Sequence, residues 1–121
     1  MRDHNNLRAF VLADQLALLA YRLTQRFPRE EQFGLTSQMR RAAVSVASNI
    51  VEGCARKTQA DYLRFLDMAF GSLRELQYQS SLAHRLGMGE DQEHAAFDAQ
   101  CVEKSKVLAA LIRSLRHIPQ T

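Results

Sequence analysis

A chain of 121 residues with 46% hydrophobic and 24% charged residues has the composition of a globular protein, which excludes a disordered chain and suits one domain over residues 1–121. The net charge of +3 permits an acidic partner without requiring one. The most apolar run, Leu16 to Ala20, is far shorter than the ~20 residues of a membrane span. With no signal-peptide pattern and two distant cysteines, we expect a cytoplasmic protein with reduced thiols.

The first half of the chain predicts two helices. The first runs from about Leu7 to Phe27 and is apolar around most of its circumference, which predicts burial on more than one side. Its apolar positions include Leu7, Phe10, Val11, Ala17, Leu18 and Tyr21. Pro28 ends it. The second helix begins near Leu35, with Thr36 or Ser37 as its N-cap, and reaches Gly53, whose position suits a left-handed C-terminal residue.

The second half predicts two longer helices. Thr58 is the expected N-cap of a helix that runs to about Leu86, and Gly71 in its middle predicts a close approach between helices. After the turn at residues 87–89, a fourth helix opens near Glu90 and ends at Pro119. Short connections between helices of similar length imply antiparallel neighbours. The predicted fold is therefore an all-α, up-down-up-down antiparallel four-helix bundle.

The second helix carries two seams at alternating steps of three and four residues. The core seam contains Met39, Ala43, Val46, Ile50 and Gly53. A polar seam consists of Gln38, Arg41, Ser45, Ser48 and Glu52, with Asn49 beside it. Three interpretations stay open for this polar seam: a solvated outer face, an interface between subunits with specific hydrogen bonds, and a catalytic or ligand site.

Catalysis is the least supported interpretation of the polar seam. A serine nucleophile needs a base within reach, and the second helix contains no histidine. His84 and His94 flank the predicted third turn near acidic residues, but without the spacing of a metal site. We therefore expect a protein that is not an enzyme, with no metal site and no cofactor.

Two stretches resemble a known bacterial family. "LTSQMRRAAVSVASNIVEGCAR" (35–56) and "YLRFLDMAFGSLRELQ" (62–77) resemble the four-helix-bundle proteins named for the intervening sequences of 23S ribosomal RNA. The positions that carry the resemblance are Gln38, Arg40, Arg41, Ala42, Ala43, Ser45, Asn49, Ile50, Glu52, Gly53, Phe65, Leu66, Gly71, Ser72, Leu73, Glu75 and Leu76. The chain departs from the family at Val46 and Ala47, where Ile-Pro is frequent, and a straighter second helix is the expected consequence.

The resemblance implies a ring-shaped homo-oligomer, with a pentamer favoured. Relatives of this family include the accessory variability proteins of diversity-generating retroelements, which act with a reverse transcriptase and nucleic acid. The resemblance therefore implies three candidate partners: further copies of this chain, RNA or DNA, and a nucleic-acid enzyme such as a reverse transcriptase. It also favours the subunit-interface interpretation of the polar seam.

Positive charge collects at one end of the predicted bundle. The start of the first helix, the connection between the second and third, and the end of the fourth share this end. Seven positive residues lie there against three negative ones, with Asp67 counted in the middle of the bundle. The seven are Arg2, Arg8, Arg56, Lys57, Arg64, Arg113 and Arg116. This basic end is the candidate site for nucleic-acid backbones. Only Tyr62 and Phe65 stand among these residues, and we assign both to the core, which disfavours a stacking platform for bases.

The sequence thus predicts a non-catalytic homo-oligomer that serves as an accessory scaffold and binds nucleic acid through its basic end. The alternative is a structural or protein-interaction ring without affinity for nucleic acid.

Overall fold

A computed structural model describes residues 2–118 of the chain, and the predicted end of the last helix at Pro119 lies outside them. These residues form four α-helices and two short 3₁₀ turns, without a strand. The helices are α1 (Arg8–Thr24), α2 (Leu35–Cys54), α3 (Gln59–Arg85) and α4 (Asp91–Arg116). The 3₁₀ turns are His4–Asn6 and Arg29–Glu31. The all-α prediction with four helices is confirmed.

Each helix packs on two neighbours, so the four surround one core. α1 contacts α2 and α4, and α3 contacts the same two helices. Long-range hydrogen bonds fix the directions: Arg40 Nε near the start of α2 donates to Thr24 Oγ1 at the end of α1 (2.8 Å). Gln59 Nε2 at the start of α3 donates to the carbonyl oxygen of Leu115 near the end of α4 (2.8 Å). These contacts join the ends of adjacent helices in the antiparallel sense.

The core side of α1 differs from the apolar positions singled out in its sequence. Its buried apolar residues recur at steps of four and three and are Ala9, Ala13, Leu16, Ala20 and Leu23, and Thr24 is buried beside them. Val11, Leu18 and Tyr21 are instead 42%, 52% and 46% exposed. Burial of α1 on more than one side is therefore not achieved within a single chain. The helix also ends at Thr24, earlier than predicted.

The start of α2 corrects the predicted N-cap. Thr36 and Ser37 lie inside the helix, and Thr36 is buried. The backbone N–H of Leu35 donates instead to the Glu31 carboxylate (3.1 Å), which the preceding 3₁₀ turn brings over the helix end. The cap thus comes from four residues upstream, because the turn folds a carboxylate back onto the positive end of α2.

The predicted role of Gly53 is wrong, and so is that of Gly71. Gly53 lies within α2, and positive φ angles occur only at Gly87 and Gly89 among the described residues. A Cβ atom on Gly53 would lie 3.0 Å from the Phe65 Cβ, so this glycine permits the close approach of α2 and α3. A Cβ atom on Gly71 would meet nothing within 4 Å.

The longer helices follow their predicted pattern more closely. The Thr58 side chain accepts a hydrogen bond from the Asp61 N–H (3.1 Å), which confirms the N-cap of α3. The core residues of α3 and α4 include Tyr62, Leu66, Ala69, Leu73, Leu76, Ala83, Phe97, Cys101, Leu108 and Ile112. His94 and Lys104 are also buried, which the sequence did not predict. None of the described helices combines the length and the apolar character that a membrane crossing requires.

Candidate functional site

Part of the predicted polar seam of α2 is engaged by α3. The Ser45 hydroxyl lies 2.8 Å from the Ser72 hydroxyl, so one donates to the other across the helix pair. Asn49 Nδ2 donates to the carbonyl oxygen of Ser45 (2.9 Å) and to its hydroxyl oxygen (3.0 Å). Ser45 and Asn49 therefore form a small hydrogen-bond network within one chain, beside the core.

The rest of the seam faces solvent in the single chain. Gln38, Arg41, Ser48 and Glu52 are exposed. Glu52 accepts from Arg56 one turn further along the helix, with 2.8 Å between the carboxylate and the guanidinium. The seam is thus divided between contacts inside the subunit and side chains available to another molecule.

A shallow cleft of about 540 Å³ lies between α2 and α3, beside the N-terminal half of the polar seam. It is lined by Gln38, Arg41, Ala42, Ser45, Ser72, Glu75, Tyr78 and Gln79. Gln79 is only 6% exposed, yet its side-chain oxygen is buried without a hydrogen-bond donor. Buried side-chain oxygens are normally paired, so a donor is missing at this atom, as it is at the buried side-chain oxygens of Gln77 and Glu93.

Sequence reasoning missed the α3 side of the cleft. Ser72, Glu75 and Gln79 recur at steps of three and four, like the polar seam of α2, and Tyr78 lies next to them. This periodicity could have shown a second polar seam beside the core residues of α3.

The histidines of the third turn have structural partners. His94 Nδ1 lies 3.2 Å from the Ser80 hydroxyl, and His94 Nε2 lies 2.5 Å from the Met88 carbonyl oxygen. The carbonyl oxygen can only accept, so Nε2 carries a proton and donates to it. His94 thereby ties the turn after α3 to the body of that helix. Within residues 2–118, no group of three or more potential metal ligands is arranged to hold an ion.

The basic end brings several predicted residues together. Arg2 donates to the carbonyl oxygen of Arg56 (3.0 Å), and its guanidinium lies 4.1 Å above the centre of the Tyr62 ring. Arg56 and Arg64 lie over the Phe65 ring, at 5.2 and 4.6 Å from its centre. Tyr62 is buried as predicted, whereas Phe65 is only partly buried and does not belong to the core. Arginines cover part of both rings, which leaves less ring surface for a nucleic-acid base.

Acidic side chains pair with part of the basic end. Arg56 pairs with Glu52, and Arg64 pairs with Asp61 at 3.7 Å. Arg116 pairs with Asp67, which the count from the sequence had placed in the middle of the bundle; including it lowers the excess charge of this end by one. Arg8, Lys57 and Arg113 are exposed and make no ion pair within residues 2–118.

The titratable groups with shifted pKa values are not activated nucleophiles. Burial raises the pKa of the Cys101 thiol to about 12, with the nearby Asp98 charge acting in the same direction. Burial also raises the pKa of Cys54, and it raises the pKa of Tyr62 to about 12. Both thiols are free and buried. A reactive cysteine requires a lowered pKa and access to solvent, and neither cysteine has them.

The fold and the two polar surfaces define the chain as an all-α bundle with candidate interaction surfaces on its exterior. The sequence matches the family of 23S rRNA-intervening sequence proteins over residues 5–110, and the chain belongs to this family.

Solved structures include a similar fold. One is the crystal structure of a protein of unknown function from the S23 ribosomal protein family of Bacteroides thetaiotaomicron VPI-5482. It superposes with a TM-score of 0.81 at 20% sequence identity, over 92% of this chain and 99% of the other. At this identity the similarity shows the fold alone. No curated protein matches the sequence significantly.

Proposed function

We propose that this protein is a non-catalytic, self-assembling four-helix-bundle module whose subunits associate through the α2–α3 face. The observation that carries the proposal is the buried Gln79 oxygen without a donor on the floor of the α2–α3 cleft. A buried polar atom without a partner costs roughly 1–3 kcal/mol, and an interface that rearranges the side chains over Gln79 would let a neighbouring subunit supply the donor.

The rim of the cleft has the chemistry of a specific interface. Arg41 and Glu75 supply opposite charges, and Tyr78 is 61% exposed. Tyrosine and arginine are enriched at the centres of protein interfaces, where they combine apolar area with directed hydrogen bonds. A cleft on one subunit that receives a different surface of the next is a heterologous contact, which forms a ring when the rotation between neighbouring subunits closes. The pentamer implied by the resemblance is the ring that we favour.

Light scattering on the purified chain tests the assembly. A pentamer has five times the subunit mass of 13.8 kDa, and a monomer at all accessible concentrations contradicts the proposal. Charge reversal at the cleft, Arg41→Glu or Glu75→Lys, is expected to lower the mass. The matched control is Arg74→Glu on α3, which is exposed and does not line the cleft. Dissociation of the control but not of the cleft variants would place the interface elsewhere.

A second candidate function is the binding of RNA or DNA backbones by the basic end, alone or beside a nucleic-acid enzyme such as a reverse transcriptase. Arg8, Lys57 and Arg113 favour it, because they are exposed and form no ion pair within the described chain. In a cyclic ring every subunit presents this end on the same side, so the charges add over one face. The competing assignment is a ring without affinity for nucleic acid.

A salt titration separates these two functions. We expect generic RNA and duplex DNA to bind at ~50 mM salt, with an affinity that falls steeply as salt rises. Reversing Arg8, Lys57 and Arg113 should abolish binding and leave the mass unchanged, whereas Lys106→Glu, away from this end, should have little effect. Absence of binding by the unmodified protein at low salt refutes the electrostatic mechanism and favours the structural ring.

The cytoplasm is the compartment that we propose. Cys54 and Cys101 are free thiols buried at separate places in the core. Thiols that stay reduced are typical of proteins in a reducing compartment.

A further inference from the structure

A groove of about 460 Å³ lies between α1 and α4, on the side of the bundle away from the α2–α3 cleft. Its apolar lining consists of Leu19 and Leu23 from α1 with Ala96 and Phe97 from α4. Polar side chains stand along its edges and are Arg22, Glu93 and Gln100. Apolar grooves with a few placed polar groups are the usual form of small-molecule sites, and helix bundles build them between facing helices.

A buried lysine contacts Gln100, one of the polar residues at the edge of this groove. Lys104 is only 4% exposed and occupies a core position of α4. Side chains on a helix lean toward its N-terminus, and the Lys104 ammonium accordingly reaches back to Gln100, donating to its side-chain oxygen at 2.5 Å. No carboxylate within residues 2–118 forms an ion pair with Lys104. The Lys104 side chain is thus withdrawn from water, and the Gln100 side-chain oxygen is its acceptor.

The lysine also orients the amide that faces the groove. An ammonium has donors and no acceptor, so the Gln100 atom beside it must be the oxygen. The Gln100 NH₂ group then points away from Lys104 and can donate into the groove. At the opposite end, Glu93 lies 3.8 Å from Arg26 and shares the groove with Arg22. Arg22, Arg26 and Lys104 therefore stand against Glu93 at this groove, and of the three positive side chains only Lys104 is buried.

We propose that the α1–α4 groove binds a small monocarboxylic acid with an aliphatic tail. The carboxylate accepts from the Gln100 amide within the field of the Lys104 ammonium, and the tail covers Leu19, Leu23 and Phe97. From Glu93 to Gln100 the helix rises by about 10 Å, which suits a tail the length of octanoate. A negative headgroup supplies the oppositely charged partner that Lys104 lacks, beside a wall of low polarity where the attraction between charges is strongest.

The test is a titration of the ¹⁵N-labelled full chain with octanoate and, separately, with octan-1-ol, followed by amide chemical shifts. The shift changes caused by octanoate should saturate, and they should be largest in α1 residues 19–23 and α4 residues 93–104. Lys104→Met keeps the length of the side chain and removes its charge. We expect this variant to weaken the binding of octanoate by about tenfold or more and to leave the affinity for octan-1-ol unchanged. Lys106 is an exposed lysine on the same helix, so Lys106→Met is the matched control and should change the affinity for neither ligand.

Gln100→Leu is a second variant, which keeps the lysine at position 104 but removes both the Gln100 donor and the acceptor of Lys104, and it should reproduce the selective loss of octanoate binding. Several results would overturn the proposal. These are no saturable shifts with octanoate, shifts outside the groove, an unchanged affinity in both variants, or equal losses of octanoate and octan-1-ol. A groove closed by a second copy of the chain would also overturn it, and it would show as α1 and α4 amide shifts that change with protein concentration in the absence of ligand. None of these outcomes depends on the α2–α3 interface.

Discussion

The same substitution at two glycines should have opposite effects on stability. At Gly53, the new Cβ atom of alanine would lie 3.0 Å from the Phe65 Cβ, 3.1 Å from a Tyr62 ring carbon and 3.3 Å from the Tyr62 carbonyl oxygen. A Cβ atom and a carbonyl oxygen cannot rotate away, so α2 and α3 must move apart by a few tenths of an ångström. At Gly71 a Cβ atom meets nothing within 4 Å.

The magnitudes follow from helix propensity and overpacking. Alanine is favoured over glycine by about 1 kcal/mol inside a helix, and this gain applies fully to Gly71, in the middle of α3. At Gly53 the gain is smaller because the residue is in the last turn of α2, and it is opposed by an overpacking cost of about 1–3 kcal/mol. We expect Gly71→Ala to stabilise the protein by about 0.5–1 kcal/mol and Gly53→Ala to destabilise it by about 1–2 kcal/mol.

Urea unfolding followed by circular dichroism measures both free energies, with identical slopes required for the comparison. Gly71→Ala serves as the control for the chemistry of the substitution, since only the surroundings of the two glycines differ. The reasoning is refuted if Gly53→Ala is as stable as Gly71→Ala, because the helices would then tolerate a Cβ atom at their closest approach.

Three further predictions concern the cap, the buried phenol and the thiols. Thr58→Ala should lower the free energy of unfolding by about 1 kcal/mol, whereas Thr58→Ser should keep most of it, and equal losses would show that the hydroxyl is not the cap. The pKa of Tyr62 rises from 10.0 to about 12 on folding, so its contribution to stability is present below pH 10 and is lost as the pH rises toward 12. The stability of the unmodified protein should therefore fall by about 2 kcal/mol more than that of Tyr62→Phe over this interval, and parallel pH profiles would contradict the shift. Cys54 and Cys101, both buried with raised pKa values, should resist iodoacetamide at pH 8 until urea unfolds the chain, so rapid labelling in native buffer would refute their burial.

The candidate sites were only partly predictable from the sequence. The spacing of Gln38, Arg41 and Ser45 located the α2 side of the cleft, and the same spacing on α3 was available to be read. The Gln79 oxygen without a donor could not be inferred, because it depends on which atoms the two helices place around it. Topology predicted a basic end, yet the pairing of Arg116 with Asp67 joins α4 to α3 across 49 residues of sequence and could not be inferred.

The sequence alone determined the number of helices, the places where they break, the Thr58 cap and the core seam of α2. These features are local, since they follow from the 3.6-residue period, from proline and glycine, and from side chains that reach their own backbone. Tertiary structure decided which apolar residues of α1 stay exposed, which glycine allows close packing, and that Lys104 is buried with Gln100 at its tip. Such features depend on how neighbouring helices are rotated against one another, and a rotation by one residue changes which side chains are covered.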